Sequence, residues 1–170
     1  MNIYFLYHLG ASREYFGVVS ALSIIPSLIS TTTGPLLARK IGATRSATLL
    51  RGLVPFFCIN LALTTAAWSG TISYWLINAL NIAAQPLTFA FAMRAARPVD
   101  RAAVTAWLNA TFWLGVAIAA PLAGGFIDQA NYQAPLFIAG GSILVAALLN
   151  EFFFQRLETR LAREEAGGVR

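Results

Sequence analysis

The chain has 170 residues, 58% of them hydrophobic and 11% charged, with a mean hydropathy of +0.66, whereas about a quarter of a soluble domain is charged. Its 12 basic and 7 acidic side chains are too few to coat so much apolar material in water, which excludes a soluble globular domain and a disordered chain; with Cys58 as the one cysteine, a disulfide scaffold is excluded too. A net charge of +5 without a soluble basic face does not point to nucleic acid, so the cations are read by where they fall between apolar runs.

The segment Met1–His8 is apolar but too short to span a bilayer, and no basic residue precedes it as in a secretory signal. It reads as the remnant of a preceding helix. Gly10 suits a helix C-terminus and Ser12 the N-cap of the next one. Five stretches then have the length and apolarity to cross about 30 Å of hydrocarbon: residues 15–38, 46–68, 72–93, 102–127 and 132–155. They are expected to be helices, because the ten-residue alternating segments of a membrane barrel are absent. Ser69-Gly70-Thr71 reads as one connecting turn. Residues 1–155 form the membrane domain and 156–170 a charged cytoplasmic tail, a solvated helix fraying at Gly167-Gly168.

Cations gather in cytoplasmic loops. Arg39, Lys40, Arg45 and Arg51 flank the first connection between spans, Arg94, Arg97 and Arg101 the third, and Arg156, Arg160, Arg163 and Arg170 follow the last. The opposite side has Arg13 alone, together with interfacial aromatics such as Tyr4, Tyr7, Tyr15, Trp68, Tyr74, Trp75 and Tyr132. Both signals put the C-terminus in the cytoplasm and the N-terminus outside, in a multi-pass protein of the cell membrane.

No ionisable residue lies near the middle of a span, which argues against a proton relay within this chain. In the third span, Tyr74, Asn78, Asn81 and Gln85 follow i, i+4, i+7, i+11, one helical face. Buried amides need partners, so this stripe either lines a wet cavity, the favoured reading, or bonds neighbouring helices. Asn60 and Asn109 are lone amides that fit helix packing better. The hydroxyl run Ser30 to Thr33 is expected to bond back to its own helix and loosen it. Pro26, Pro55, Pro86 and Pro121 predict one kink in each of the first four spans. In the fourth, Gly115, Ala119 and Ala123 place a small residue every four positions, which admits a close helix neighbour. His8 has no ligand cluster around it and no phosphate loop occurs, so no metal, cofactor or enzymatic chemistry is implied.

The connection Pro35-Leu36-Leu37-Ala38-Arg39-Lys40-Ile41-Gly42-Ala43-Thr44-Arg45 is similar to the loop pattern Gly-x-Leu-Ala-Asp-Arg-x-Gly-Arg-Arg of the major facilitator superfamily. Leu37, Ala38, Lys40 and Gly42 match in place, while Pro35 and Arg39 stand where the pattern has Gly and Asp. Arg97 to Ala102 and the helix after it, with Gly115, Pro121, Leu122, Ala123, Gly124 and Asp128, resemble the family's penultimate helix. The chain thus resembles the C-terminal half of such a transporter. That implies an all-α integral membrane protein of five transmembrane helices, the eighth to twelfth of a twelve-helix transporter, with Met1–His8 as the end of the seventh. It also implies alternating access between two six-helix halves, and puts the amide stripe on a helix that faces the central cavity.

Two functions follow and stay open at this point. One is secondary transport of a small, neutral or amphipathic solute past Tyr74, Asn78, Asn81, Gln85 and Asn109, with the missing N-terminal half or a homodimer completing the path. The other is a non-transporting truncated protein or an assembly partner of another membrane chain.

Overall fold

The computed structural model describes the backbone of residues 4–167 and the side chains of residues 4–152. Tyr4–His8 makes one π-helical turn. Ser12 then caps α1 (Arg13–Leu22), its Oγ accepting the Tyr15 amide at 3.1 Å. The first expected span is broken at Ser23 into α1 and α2 (Ile24–Ile41). Hydroxyls compete for backbone carbonyls at the break, with Ser23 Oγ donating to the Ser20 carbonyl at 2.6 Å and Ser27 Oγ to that of Ser23 at 2.7 Å. Pro26, expected as an interior kink, instead sits in the first turn of α2, where a missing N–H costs little. Pro35 is the proline inside that helix. Ser30, Thr31, Thr32 and Thr33 return hydrogen bonds to the carbonyls of Ser27, Leu28, Ile29 and Ser30, as their sequence predicts.

Only Gly42 separates α2 from α3 (Ala43–Leu63). Its φ of 90° suits glycine, and it is held by its own amide on the Ala38 carbonyl at 2.9 Å and by Ser46 Oγ on its carbonyl at 2.7 Å. Between α3 and α4 (Ala67–Ala95) the chain turns at Thr64 to Ala66 rather than at Ser69-Gly70-Thr71. Thr64 Oγ1 accepts the Ala66 amide at 3.3 Å, a hydroxyl turn that ends the helix early. Gly70 is instead a packing glycine, since a Cβ there would lie 2.7 Å from Leu9 Cδ1. A 3₁₀ turn at Pro98–Asp100 leads into α5 (Arg101–Asp128). Asn131 Oδ1 accepts the Ala134 amide at 3.2 Å where α6 (Ala134–Gly167) begins. The α6 backbone continues past residue 155; the side chains of the expected tail, and residues 168–170 entirely, lie outside the described residues.

Among the described residues, five helical stretches are long and apolar enough to cross a membrane: Arg13–Ile41, Ala43–Leu63, Ala67–Ala95, Pro98–Asp128 and Ala134–Phe152. No strand occurs among the described residues, and the chain is an all-α multi-pass membrane protein. Its packing is uneven. The buried centre is built by Val54, Cys58, Leu61 and Ala62 of α3, Ile77 of α4, Leu136 of α6 and, from the N-terminal turn, Tyr4 and Phe5. Backbone contact without side chains draws the helices together: a Cβ at Gly34 would stand 2.9 Å from the Ala83 carbonyl oxygen, and one at Gly140 would stand 3.2 Å from Cys58 Cβ. The Tyr4 hydroxyl donates to the Leu61 carbonyl, and burial pushes its phenol pKa up to about 12. By contrast α5 contributes no buried residue.

Candidate functional site

Successive residues of an α-helix turn by about 100°, and α4 thereby presents three faces. Gly70, Ser73, Ile77, Ala84 and Leu87 are buried on one face. There Asn60 of α3 donates its Nδ2 to Ser73 Oγ at 3.1 Å, an amide that ties two helices together. A second face meets α1 and α2: Tyr15 and Thr71 share a hydroxyl contact of 2.8 Å, Trp75 Nε1 donates to the Val19 carbonyl at 2.8 Å, and Ala83 lies against Gly34.

The third face carries Tyr74, Asn78, Asn81 and Gln85. One end of it is closed by rings, because the Tyr74 centroid lies 6.0 Å from both Phe5 and Phe16. Asn78 is half-buried and donates to the Tyr74 carbonyl at 2.9 Å; Asn81 is exposed and donates to the Ile77 carbonyl at 2.9 Å. Both bonds are local to α4. Gln85 is exposed. The stripe therefore satisfies part of its hydrogen-bonding capacity on its own backbone, and among the described residues no other helix supplies the rest.

The same register runs on through Thr88 and Ala92, seven residues after Asn81 and Gln85. These two open onto a groove of about 60 Å³ whose walls include Thr44 and Ala47 of α3, Phe91 of α4, Leu108 of α5 and Asn150 of α6. Thr44 is 4% exposed, and its Oγ1 is the one buried side-chain polar atom without a hydrogen-bond partner among the described residues. Asn150 spends an amide hydrogen on Thr48 Oγ1 at 2.8 Å. Extending the amide register by one heptad would have found Thr88; nothing local marks Thr44 or Asn150, which meet only because α3 and α6 pack together.

Asn109 lies on the exposed surface of α5, donating to the Thr105 carbonyl at 3.0 Å, and Thr105 Oγ1 reaches Met93 Sδ at 3.6 Å. Asn109 thus sits one turn from a contact between α5 and α4, and its amide bonds to its own helix. Of the small residues on α5, Gly115, Ala119 and Pro121 are exposed and Ala123 and Gly124 half-buried. Added Cβ atoms at Gly115 and Gly124 would meet nothing within 4 Å. In the loop motif, Leu37, Ala38 and Lys40 occupy the last turns of α2 and Gly42 is the link itself. Among the described residues no group of three or more His, Cys, Asp or Glu is placed to hold a metal ion.

Comparison with known proteins adds one finding. The family model described as Major Facilitator Superfamily matches residues 1–169. No curated protein and no solved structure gives a match. The match covers nearly the whole chain and agrees with its five apolar helices, so the chain belongs to the Major Facilitator Superfamily, whose members carry solutes across membranes.

Proposed function

We propose that this chain forms one side of a solute path in a secondary transporter that works by alternating access. The carrying observation is the third face of α4. A membrane helix that turned Asn81 and Gln85 to hydrocarbon would strand amides where no water reaches them, and both are exposed with no other helix of the described chain bonding to them. The cost disappears if that face borders water and solute. A second unit, either a preceding half of a twelve-helix transporter or another copy of this chain, then forms the opposite wall, and the bare surface of α5 supports the need for such a unit. In this arrangement Tyr74, Asn78, Asn81, Gln85 and Asn109 touch the solute. The ring cluster of Phe5, Phe16 and Tyr74 closes one end of the path, and rocking of the two units opens it. Neutral amides suit an uncharged or amphipathic solute. The protein resides in the cell membrane, with the cation-rich end in the cytoplasm and Tyr4–His8 outside.

Cysteine accessibility tests the path and requires no identified solute. Cys58 is buried and gives a low background. In native membranes Asn81→Cys and Gln85→Cys are expected to react with a membrane-impermeant maleimide far faster than Leu114→Cys on α5. Equal, slow labelling of all three would mean that the amide face meets protein or lipid, and the path would have to lie elsewhere.

A further inference from the structure

We propose that Arg51, Thr48 and Asn150 form a binding site for a phosphate group in the seam between α3 and α6, near the cation-rich end of the molecule. The inference does not depend on the transport reading. Arg51 stands eight residues into α3, about 12 Å from its start. It is rooted on the packed side of that helix, since its neighbours one and two turns away, Thr44, Ala47, Val54, Pro55 and Cys58, are all buried. Two contacts with α6 bracket it. On one side Asn150 Nδ2 donates to Thr48 Oγ1 at 2.8 Å; on the other, a Cβ at Gly140 would stand 3.2 Å from Cys58 Cβ. Arg51 therefore does not start from the lipid-facing surface along which arginines usually snorkel. Long helical side chains lean towards the N-terminus of their helix, here towards Thr48.

The seam supplies donors and no acceptor to match them. Arg51 is half-buried, so an anion can reach it, and among the described residues it makes no hydrogen bond or ion pair. The Thr48 oxygen takes the Asn150 bond, which leaves the Thr48 proton and the second amide hydrogen of Asn150 unspent. No Asp or Glu occurs in α2, α3 or α4, nor in α6 before Glu151, and Glu151 does not pair with Arg51. A charge held among membrane helices without a counter-ion is costly, and an anion from outside the described chain removes that cost. Phosphate fits the donor set. The guanidinium fork engages two of its oxygens, while the hydroxyl and the amide come from another turn and another helix, an arrangement that suits a tetrahedral group with further oxygens to share. The phosphate of a small anion and that of a lipid headgroup offer the same chemistry.

The test is thermal melting of the purified chain in a neutral detergent at constant ionic strength. In one arm inorganic phosphate replaces chloride; in the other dioleoyl phosphatidylglycerol is compared with dioleoylglycerol, which lacks the phosphate. A saturable rise of the midpoint with inorganic phosphate assigns the site to a free anion, and a rise with phosphatidylglycerol alone assigns it to a headgroup. In either case Arg51→Gln should raise the half-effect concentration at least about ten-fold, and Thr48→Val about five-fold. Without any anion, Arg51→Gln should melt at or above the midpoint of the unmodified chain, because an unpaired charge has been removed. Arg45→Gln, on the exposed surface of α3, should keep the full response. If Arg51→Gln does not fold, Arg51→Lys retains the charge without the fork and should weaken the response in the same direction. Absence of a response to both phosphate sources, a response that survives loss of Arg51, or one that Arg45→Gln abolishes equally would overturn the proposal.

Discussion

Helices α3 and α5 are similarly apolar, yet 39% of the most apolar stretch of α3 is buried inside the chain and 0% of that of α5. Hydropathy therefore reports that a helix lies in the membrane and is silent on what it packs against. The difference lies in which residues make contact. Helix α3 offers Cys58 and Pro55 to the backbone of Gly140 and offers Asn60 to Ser73, so small residues and paired polar groups draw its neighbours close. Small residues are equally available on α5 at Gly115, Ala119, Ala123 and Gly124, but no helix within the described chain meets Gly115 or Gly124.

The most damaging way to probe the packed side is to put volume where backbones touch. Gly34→Val would drive side-chain atoms into the Ala83 carbonyl, which stands 2.9 Å from the first added carbon, and α2 would have to move off α4. A loss of about 1–3 kcal/mol or more is expected, seen as a lower melting midpoint in detergent and as proteolytic cleavage near Gly42. Next comes the interhelical amide. Asn60→Leu leaves Ser73 Oγ, 0% exposed, without its donor, and should cost about 1–3 kcal/mol; Asn81→Leu, whose bond is local to α4, should leave the midpoint nearly unchanged. If the two variants melted alike, the packed and open faces of α4 would be energetically equivalent and the contrast between them would fail.

A smaller effect is expected at the N-terminal turn. Tyr4→Phe removes a buried hydrogen bond to the Leu61 carbonyl, at about 1 kcal/mol. The pH dependence has a definite sign. Folding raises the phenol from its ordinary value of 10.0 to about 12, so the folded state prefers the protonated form. That contribution is fully present below about pH 10 and is lost as pH climbs towards 12. The unmodified chain should lose stability across that interval more steeply than Tyr4→Phe, which has no proton there to release.

Much of this was legible in the sequence. Apolar runs bounded by charged or turn-forming residues point to five helices, and the hydroxyl bonds of Ser30 to Thr33 follow from residue chemistry alone. Positions that depend on competition between local and distant contacts were not legible. Gly70 reads as a turn because glycine and serine favour turns, but the Thr64 hydroxyl ends α3 first and leaves Gly70 to pack under Leu9. Likewise Pro26 reads as a kink until the serines around Ser23 break the helix and make it a first-turn residue. The amide stripe was readable as a face, while its continuation into the groove at Thr44 and Asn150 required knowing which helices meet.

The unpacked side yields the smallest effect on stability and the sharpest contrast. Gly115→Leu adds four carbons where a Cβ would meet nothing within 4 Å. Glycine also weakens a helix interior, so the melting midpoint of the chain by itself should stay the same or rise slightly, within about 1 kcal/mol. Assembly should respond in the opposite direction if α5 is the surface on which a second unit sits: a leucine would hold the partner helix away by the width of a side chain, and small-residue contacts tolerate that poorly. Crosslinking at Ala119→Cys, with Cys58→Ala as background, reads this directly. Loss of the crosslink in Gly115→Leu, at unchanged stability, would make α5 an interface helix; no crosslink at Ala119→Cys even with Gly115 in place would put the contact on another face and leave α5 in lipid.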